Sequence, residues 1–248
     1  MNIVVCINHV PDTETRVRVG ADGKTIDKTN VNYVLNPYDE FAIEEGLRLK
    51  EKFGGEVTAV TLGGDSHKET LRKALSLGVD KAILLKDESP RDSFAIAKAL
   101  AEAIKGLSPE VILFGKQSID YDDSQVGTMV AEMLGLPSAS VVVKLDISNR
   151  VALAHREIEG GHEIVEVKLP VVFTAQKGLN EPRYPSLKGI MAAKSKPIQE
   201  HPALPVESKA EVRSMQNPAP KSAGKIVGTD ASAVPGLVRL LHEEAKVI

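Results

Sequence analysis

The stretch GKQSIDYDDSQVGTM, Gly115 to Met129, concentrates side chains suited to holding a phosphate or a ribose. Ser124, Gln125 and Thr128 supply neutral hydrogen-bonding groups, and Gly127, next to Val126, allows close backbone approach. At a helix start such groups join unpaired backbone N–H donors in a site for an anion. Asp120, Asp122 and Asp123 have three readings, as caps, ribose ligands or metal ligands. Metal ranks lowest, because no histidine accompanies them at ligand spacing. A second helix start lies in VLNPYDEFA, Val34 to Ala42, with Asn36 as N-cap, Pro37 at the first helical position and Asp39 at the third. Asp39 there suits a capping-box carboxylate. Asp39 and Glu40 oppose an anion, so a nucleotide touching this end presents its base or ribose.

Other chemistries find little support. LGGDS, Leu62 to Ser66, resembles the glycine loop of adenylating enzymes, but it lacks the leading serine, is one residue shorter and follows the second strand. Two glycines in that place read as a turn. The histidines, His9, His67, His155, His162, His201 and His242, have no metal-ligand spacing, and no nucleophile elbow, Walker or GxGxxG pattern occurs. The expectation is a module without catalytic residues or metal, which binds a nucleotide and hands the chemistry elsewhere. Cys6, inside IVVCIN, reads as a small core residue. With 31 basic against 34 acidic residues, 4% aromatics and no tryptophan, neither a polyanion partner nor base stacking is expected, which argues against nucleic acid. No apolar run approaches the roughly 20 residues of a membrane span. MNIVVCINHV lacks the features of a secretory signal, and the expected location is cytoplasmic.

The elements that must position these residues follow an alternating rhythm. Ile3 to Ile7, Val57 to Leu62, Ala82 to Leu85 and Val111 to Phe114 read as buried strands, and Val171 to Phe173 as another. Pro37 to Phe53, His67 to Leu77, Ser93 to Ile104 and Ser124 to Leu134 read as helices. In the first helix Ala42, Ile43, Gly46, Leu47, Leu49 and Phe53 share one face, with Glu44, Glu45, Arg48 and Lys52 mostly on the other. Doubly buried strands alternating with helices predict an α/β fold, a parallel sheet flanked by helices, with ligands beyond the carboxyl ends of its strands. Arg16 to Val19 and Thr25 to Lys28 flank the turn GADG as a hairpin. Ser140 to Ile147, Val151 to Ile158 and His162 to Leu169 predict an antiparallel β appendage. Residues 1–195 then form the nucleotide-binding domain, and 196–248 a Pro-rich extended arm. The arm ends in a short amphipathic helix with Val234, Leu237, Leu240 and Leu241 on its apolar face.

One segment resists this scheme. In LNEPRYPSLKGIM, Leu179 to Met191, Pro182 and Pro185 bracket Arg183 and Tyr184, so neither a helix nor a central strand runs through them. Yet Leu187, Ile190 and Met191 are large apolar groups in or beside a loop.

NPYDEFAIEEGLRLKEK, GKQSIDYDDSQVG and LNEPRYPSLKGIMAAKSKP resemble, in the same order, hallmarks of the beta subunit of electron-transfer flavoproteins, and the similarity covers nearly the whole chain. The resemblance implies an adenine-nucleotide-binding, universal-stress-like sheet and a heterodimer with an alpha subunit that holds most of an FAD. This chain then adds a wall near the flavin ring and buries a structural AMP in its own core. By position, the AMP residues are Cys6, Asn36, Pro37, Tyr38, Asp39, Leu62, and Asp122 through about Met133, which takes in Asp123, Ser124, Gln125, Val126, Gly127 and Thr128. The resemblance also makes Arg183 to Met191 a recognition loop for flavin-dependent dehydrogenases, with Arg183, Tyr184, Ile190 and Met191 around the anchor Leu187. Two departures stand out: Thr13 follows Asp12 where many members carry an aromatic residue, and Tyr121 takes the place of a glycine common in a bifurcating branch. The alternatives are that bifurcating branch, with a second FAD in place of AMP, and a stand-alone nucleotide-binding protein of the universal-stress type.

Overall fold

The computed structural model describes residues 1–221 and 223–248. In chain order the first half runs β1 (Asn2–Cys6), β2 (His9–Pro11), β3 (Tyr33–Leu35), α1 (Pro37–Phe53), β4 (Glu56–Gly63), α2 (His67–Leu77), β5 (Lys81–Lys86), α3 (Ser93–Lys105), β6 (Val111–Gly115) and α4 (Val126–Leu134). The second half runs β7 (Ser138–Ser148), β8 (Val151–Ile158), β9 (Gly161–Lys168), β10 (Val171–Ala175), α5 (Leu187–Ser195), β11 (Ile198–Pro202) and α6 (Val234–Glu243), the last preceded by a 3-10 turn at Ala231–Ala233.

The apolar runs are strands because both their faces are covered. Side chains alternate across β1: Ile3 and Val5 join Ile43 and Leu47 of α1 and Leu71 and Leu75 of α2 on one face. Val4 and Cys6 join Leu100 and Ile104 of α3 and Val130 of α4 on the other. The sheet has nine strands in the order β11-β5-β4-β1-β6-β10-β7-β8-β9. Every pairing from β11 to β7 is parallel.

Three features differ from the expectations. The antiparallel strands are no separate appendage: β7 begins as a parallel partner of β10 (Val172 opposite Ser138) and continues as an antiparallel partner of β8. A register shift between Phe173 and Ala175, together with Val141 at φ 59°, turns β7 from one role to the other. The 12–32 excursion keeps one hairpin bridge, Val19 to Ile26, and is closed at its base by β2 pairing with β3. The arm begins inside the sheet, since Ile198–Pro202 pairs in parallel with Ala82–Lys86 and the chain leaves the sheet only afterwards. It then crosses Asp92, whose Oδ2 accepts from the Lys209 and Ala210 amides at 2.6 and 2.8 Å, and reaches the hairpin turn, where the Met215 amide donates to Gly23 O at 2.7 Å. Val234, Leu237 and Val238 of α6 are exposed. Among the described residues no helix is long and apolar enough to cross a membrane.

Candidate nucleotide cavity and docking helix

β1 has β4 on one side and β6 on the other, so the chain leaves the two carboxyl ends of β1 and β6 in opposite directions. A crevice opens at such a point. It holds a cavity of about 170 Å³, more than ten times the roughly 10–15 Å³ that one water needs. Cys6, Ile7 and Asn8 line it from the end of β1, Leu62 from β4, Asp39 from α1, and Gly115 to Ser118 from the end of β6. Asp120, Tyr121 and Asp123 to Gly127 complete the wall up to the start of α4, and Ser93, Ile96 and Leu100 close it from α3.

Asn36 and Asp39 do not cap α1 as expected. Asn36 makes no side-chain cap bond; fully buried, it donates from Nδ2 to Gln117 O at 2.9 Å and accepts from the Ile119 amide at 3.3 Å. Asp39 accepts from the amides of Asn8 (2.7 Å) and Gly115 (3.0 Å), tying the ends of β1 and β6 to one carboxylate. These tertiary bonds win over local capping because buried amides at strand ends otherwise lack acceptors. Burial pushes the Asp39 carboxyl up to about 7 in spite of those amides. Burial and the neighbouring Asp39 raise the Cys6 thiol well above its ordinary value, which keeps it protonated and unreactive.

The loop before α4 is braced from within. Asn8 Nδ2 donates to Ser118 Oγ at 3.0 Å, Gln117 Nε2 to Asp122 Oδ1 at 2.5 Å and Ser124 Oγ to Gln117 Oε1 at 3.3 Å. The Ser93 hydroxyl donates to Asp123. Asp122 and Ser124 both hold φ 54°, which turns the chain sharply into α4. Gly127 serves packing: a Cβ there lies 2.8 Å from Thr174 Cγ2 and 3.2 Å from the Phe114 ring. The bare helix start therefore sits directly on the sheet, and its first-turn amides, which have no intrahelical acceptors, border the cavity. Their partial positive charge suits a phosphate. Asp120 and Asp123 offer acceptors for ribose hydroxyls, and Cys6, Leu62, Ile96 and Leu100 offer apolar surface for a base.

Beyond β10 lies the segment that resisted the sequence scheme. Residues 179–186 are irregular, as the prolines predict, but the rest is the start of α5: Ser186 Oγ accepts from the Gly189 amide at 3.0 Å as an N-cap, and the helix begins at Leu187. Leu187 is 83% exposed, Tyr184 93% and Met191 67%, with Ile190 less so, while Ala193 of the same helix is buried in the core. Arg183 lies against α1, donating from Nε to Glu44 at 2.7 Å and from Nη1 to Glu51 at 2.6 Å.

The sequence matches the electron transfer flavoprotein domain over residues 23–206. It is 43% identical, over 90% of its length and 88% of the relative's, to an electron transfer flavoprotein subunit beta of Syntrophomonas wolfei. It is 39% identical to the same-named subunit of Bacillus subtilis and 38% identical to the mitochondrial one of Arabidopsis thaliana, each match covering 100% of both chains. The chain belongs to the electron transfer flavoprotein beta-subunit family.

In this family member the structure gathers eight of the residues assigned to the nucleotide: Cys6, Asp39, Leu62, Asp123, Ser124, Gln125, Val126 and Gly127 line the cavity. Asn36, Pro37, Tyr38, Asp122 and Thr128 do not line it. Asn36 and Asp122 brace the loop, Thr128 Oγ1 donates to Gln125 O at 2.9 Å, and the Tyr38 ring lies 5.8 Å from the Lys116 ammonium. Sequence reasoning placed Lys116, Gln117 and Ser118 in the candidate stretch without a role and missed Asn8 and Ser93. Asn8 and Lys116 to Ser118 follow directly on buried strands, and that position is itself a signal for the binding edge. Ser93 carried none, because only the packing of α3 brings it to Asp123.

Proposed function

We propose that this chain is the beta half of a heterodimeric electron carrier that accepts electrons from flavin-dependent dehydrogenases and passes them to a downstream acceptor in the cytoplasm. One observation carries this reading: the α/β core presents Leu187 and Met191 to water on a short helix anchored by the buried Ala193, with Tyr184 exposed just before it. An apolar tip of that kind costs solubility unless a visiting surface covers it. Seating Leu187 in an apolar pocket contributes about 1.5–3 kcal/mol, enough for selective contact and weak enough for release. In the heterodimer the alpha subunit would hold most of an FAD, whose flavin supplies reversible storage of electrons. The part of this chain is to wall that site, to dock the dehydrogenase and to bind a structural AMP. Supporting AMP are the amides at the start of α4, the acceptors Asp120 and Asp123, and the apolar floor at Cys6 and Leu62. Such a ligand stabilises the folded chain by mass action.

The test uses the chain co-expressed with its alpha subunit. The yellow complex is denatured and the released nucleotides are identified by mass, with one FAD and one AMP per heterodimer expected. Two FAD would assign the cavity to a second flavin, and a colourless chain that stays alone would refute the carrier. Leu187→Ala should raise KM for the reducing dehydrogenase about tenfold or more, with flavin content unchanged.

A further inference from the structure

The strand-to-helix segment before α5 is fastened along its length. Asn180 Nδ2 donates to Phe41 O and to Glu45 Oε2, both at 3.0 Å. Arg183 gives three N–H donors to two carboxylates of α1: Nε to Glu44 Oε2 at 2.7 Å, Nη2 to Glu44 Oε1 at 3.1 Å and Nη1 to the more exposed Glu51 Oε1 at 2.6 Å. Its backbone amide adds a fourth bond to Glu44 at 3.2 Å. The Glu44 side chain is only 5% exposed beneath this clamp and also accepts from Arg48 Nε at 2.9 Å. The helix is fixed on its far side as well. A Cβ on Gly189 would lie 2.3 Å from Ser76 O, so the backbone of α5 rests on α2, and Arg72 Nη1 donates to Ala193 O at 2.5 Å near its C-terminus.

We propose that Arg183 is a positioning residue that sets the tip of α5 in its docking geometry before a partner arrives, and that it makes no contact with the partner itself. The proposal rests on the docking reading given above and deepens it. A guanidinium with most of its planar fork committed to two carboxylates has little left for an incoming surface. A tip that is already ordered loses less freedom on binding, so a small apolar contact retains more of its strength. The consequence is specific: Glu44, buried under the clamp and out of reach of any visitor, must influence docking.

The experiment uses the intact alpha–beta heterodimer carrying Glu44→Gln, Glu51→Gln, Arg183→Lys, Leu187→Ala, or Glu44→Gln with Leu187→Ala. KM and kcat are measured with a flavin-dependent dehydrogenase that reduces the carrier, alongside hydrogen exchange of the α5 amides and flavin content. Glu44→Gln is expected to raise KM about fivefold at unchanged kcat and to speed exchange in α5. Arg183→Lys, which keeps the charge and loses the fork, should give a smaller change in the same direction. In the Leu187→Ala background the Glu44→Gln effect should vanish, because both changes act through one contact. Glu51→Gln, at an exposed position, gives the same test should the Glu44 variant fail to assemble. A Glu44→Gln complex with parental KM and parental exchange overturns the positioning role even where Leu187→Ala raises KM. Fully additive effects in the double variant overturn it too. Leu187→Ala without effect on KM sinks the docking reading and this proposal together.

Discussion

Replacing Asp39 with asparagine probes the cavity floor most directly. Asp39 is 5% exposed, its two oxygens are held by the amides of Asn8 and Gly115, and burial lifts its pKa from 3.8 to about 7. Between those values the folded chain keeps a proton that the unfolded chain releases. The contribution of Asp39 to folded-state stability therefore falls as pH rises from about 4 to 7 and levels off above. A shift from 3.8 to about 7 is roughly three pKa units, which at about 1.4 kcal/mol each gives on the order of 4 kcal/mol of pH-dependent stability. Asp39→Asn removes this dependence, since the amide does not titrate. It also leaves only one acceptor for two backbone donors, a loss of about 1–3 kcal/mol that does not vary with pH. The variant should be clearly less stable than the parent near pH 4.5 and approach or exceed it at pH 8. Urea unfolding of both chains across that range reads the difference. Glu40 and Glu45, whose carboxyls burial also raises, are common to both chains and cancel. Two parallel stability curves would refute an Asp39 that is protonated in the fold.

Three further outcomes are expected. Gly127→Ala drives a Cβ to within 2.8 Å of Thr174 Cγ2, and the overpacking should cost about 1–3 kcal/mol, seen as a lowered Tm; an unchanged Tm would show that α4 lifts off the sheet freely. His67, lowered to about 4 by burial and then by the neighbouring His9, should stay neutral by NMR down to pH 5. Because the unfolded chain takes up that proton first, the His67 contribution to stability should decline as pH falls from about 6.5 towards 4, opposite in sign to that of Asp39, and protonation of His67 at pH 6 would contradict its burial. Asp92→Ala removes the cap that accepts from the Ala95 amide at 2.8 Å and the acceptor for Lys209 and Ala210, costing about 1 kcal/mol at α3. Limited proteolysis between residues 203 and 221 should then be faster than in the parent, and equal rates would mean that the arm is held elsewhere.

The alternation of strands and helices was legible because the apolar periods of β1, β4, β5, β6 and α1 to α4 are long and clean. Individual roles were less so. Glu44 and Glu45 were placed on the solvent face of α1, yet both are buried, because the 179–183 segment folds over that face and supplies Asn180 and Arg183 as partners. Phe53, placed on the core face, ends 39% exposed where α1 runs past the sheet. The start of α5 did leave a trace: Leu187, Ile190 and Met191 stand at helical spacing after Ser186. The two prolines before it exclude a helix only up to Pro185. β11 left none, since IQEHP is polar and pairs along one edge only.

That late strand has a bearing on how the chain survives its own synthesis. β5 lies in the first half of the sequence, but its outer edge stays bare until residues 198–202 emerge and lie against it. A premature stop anywhere between the end of β10 and Ile198 would leave Ile83 to Leu85 as a sticky, unpaired border, ready to recruit the border of another truncated copy. Shortened forms of this polypeptide are thus expected in inclusion bodies for want of five residues.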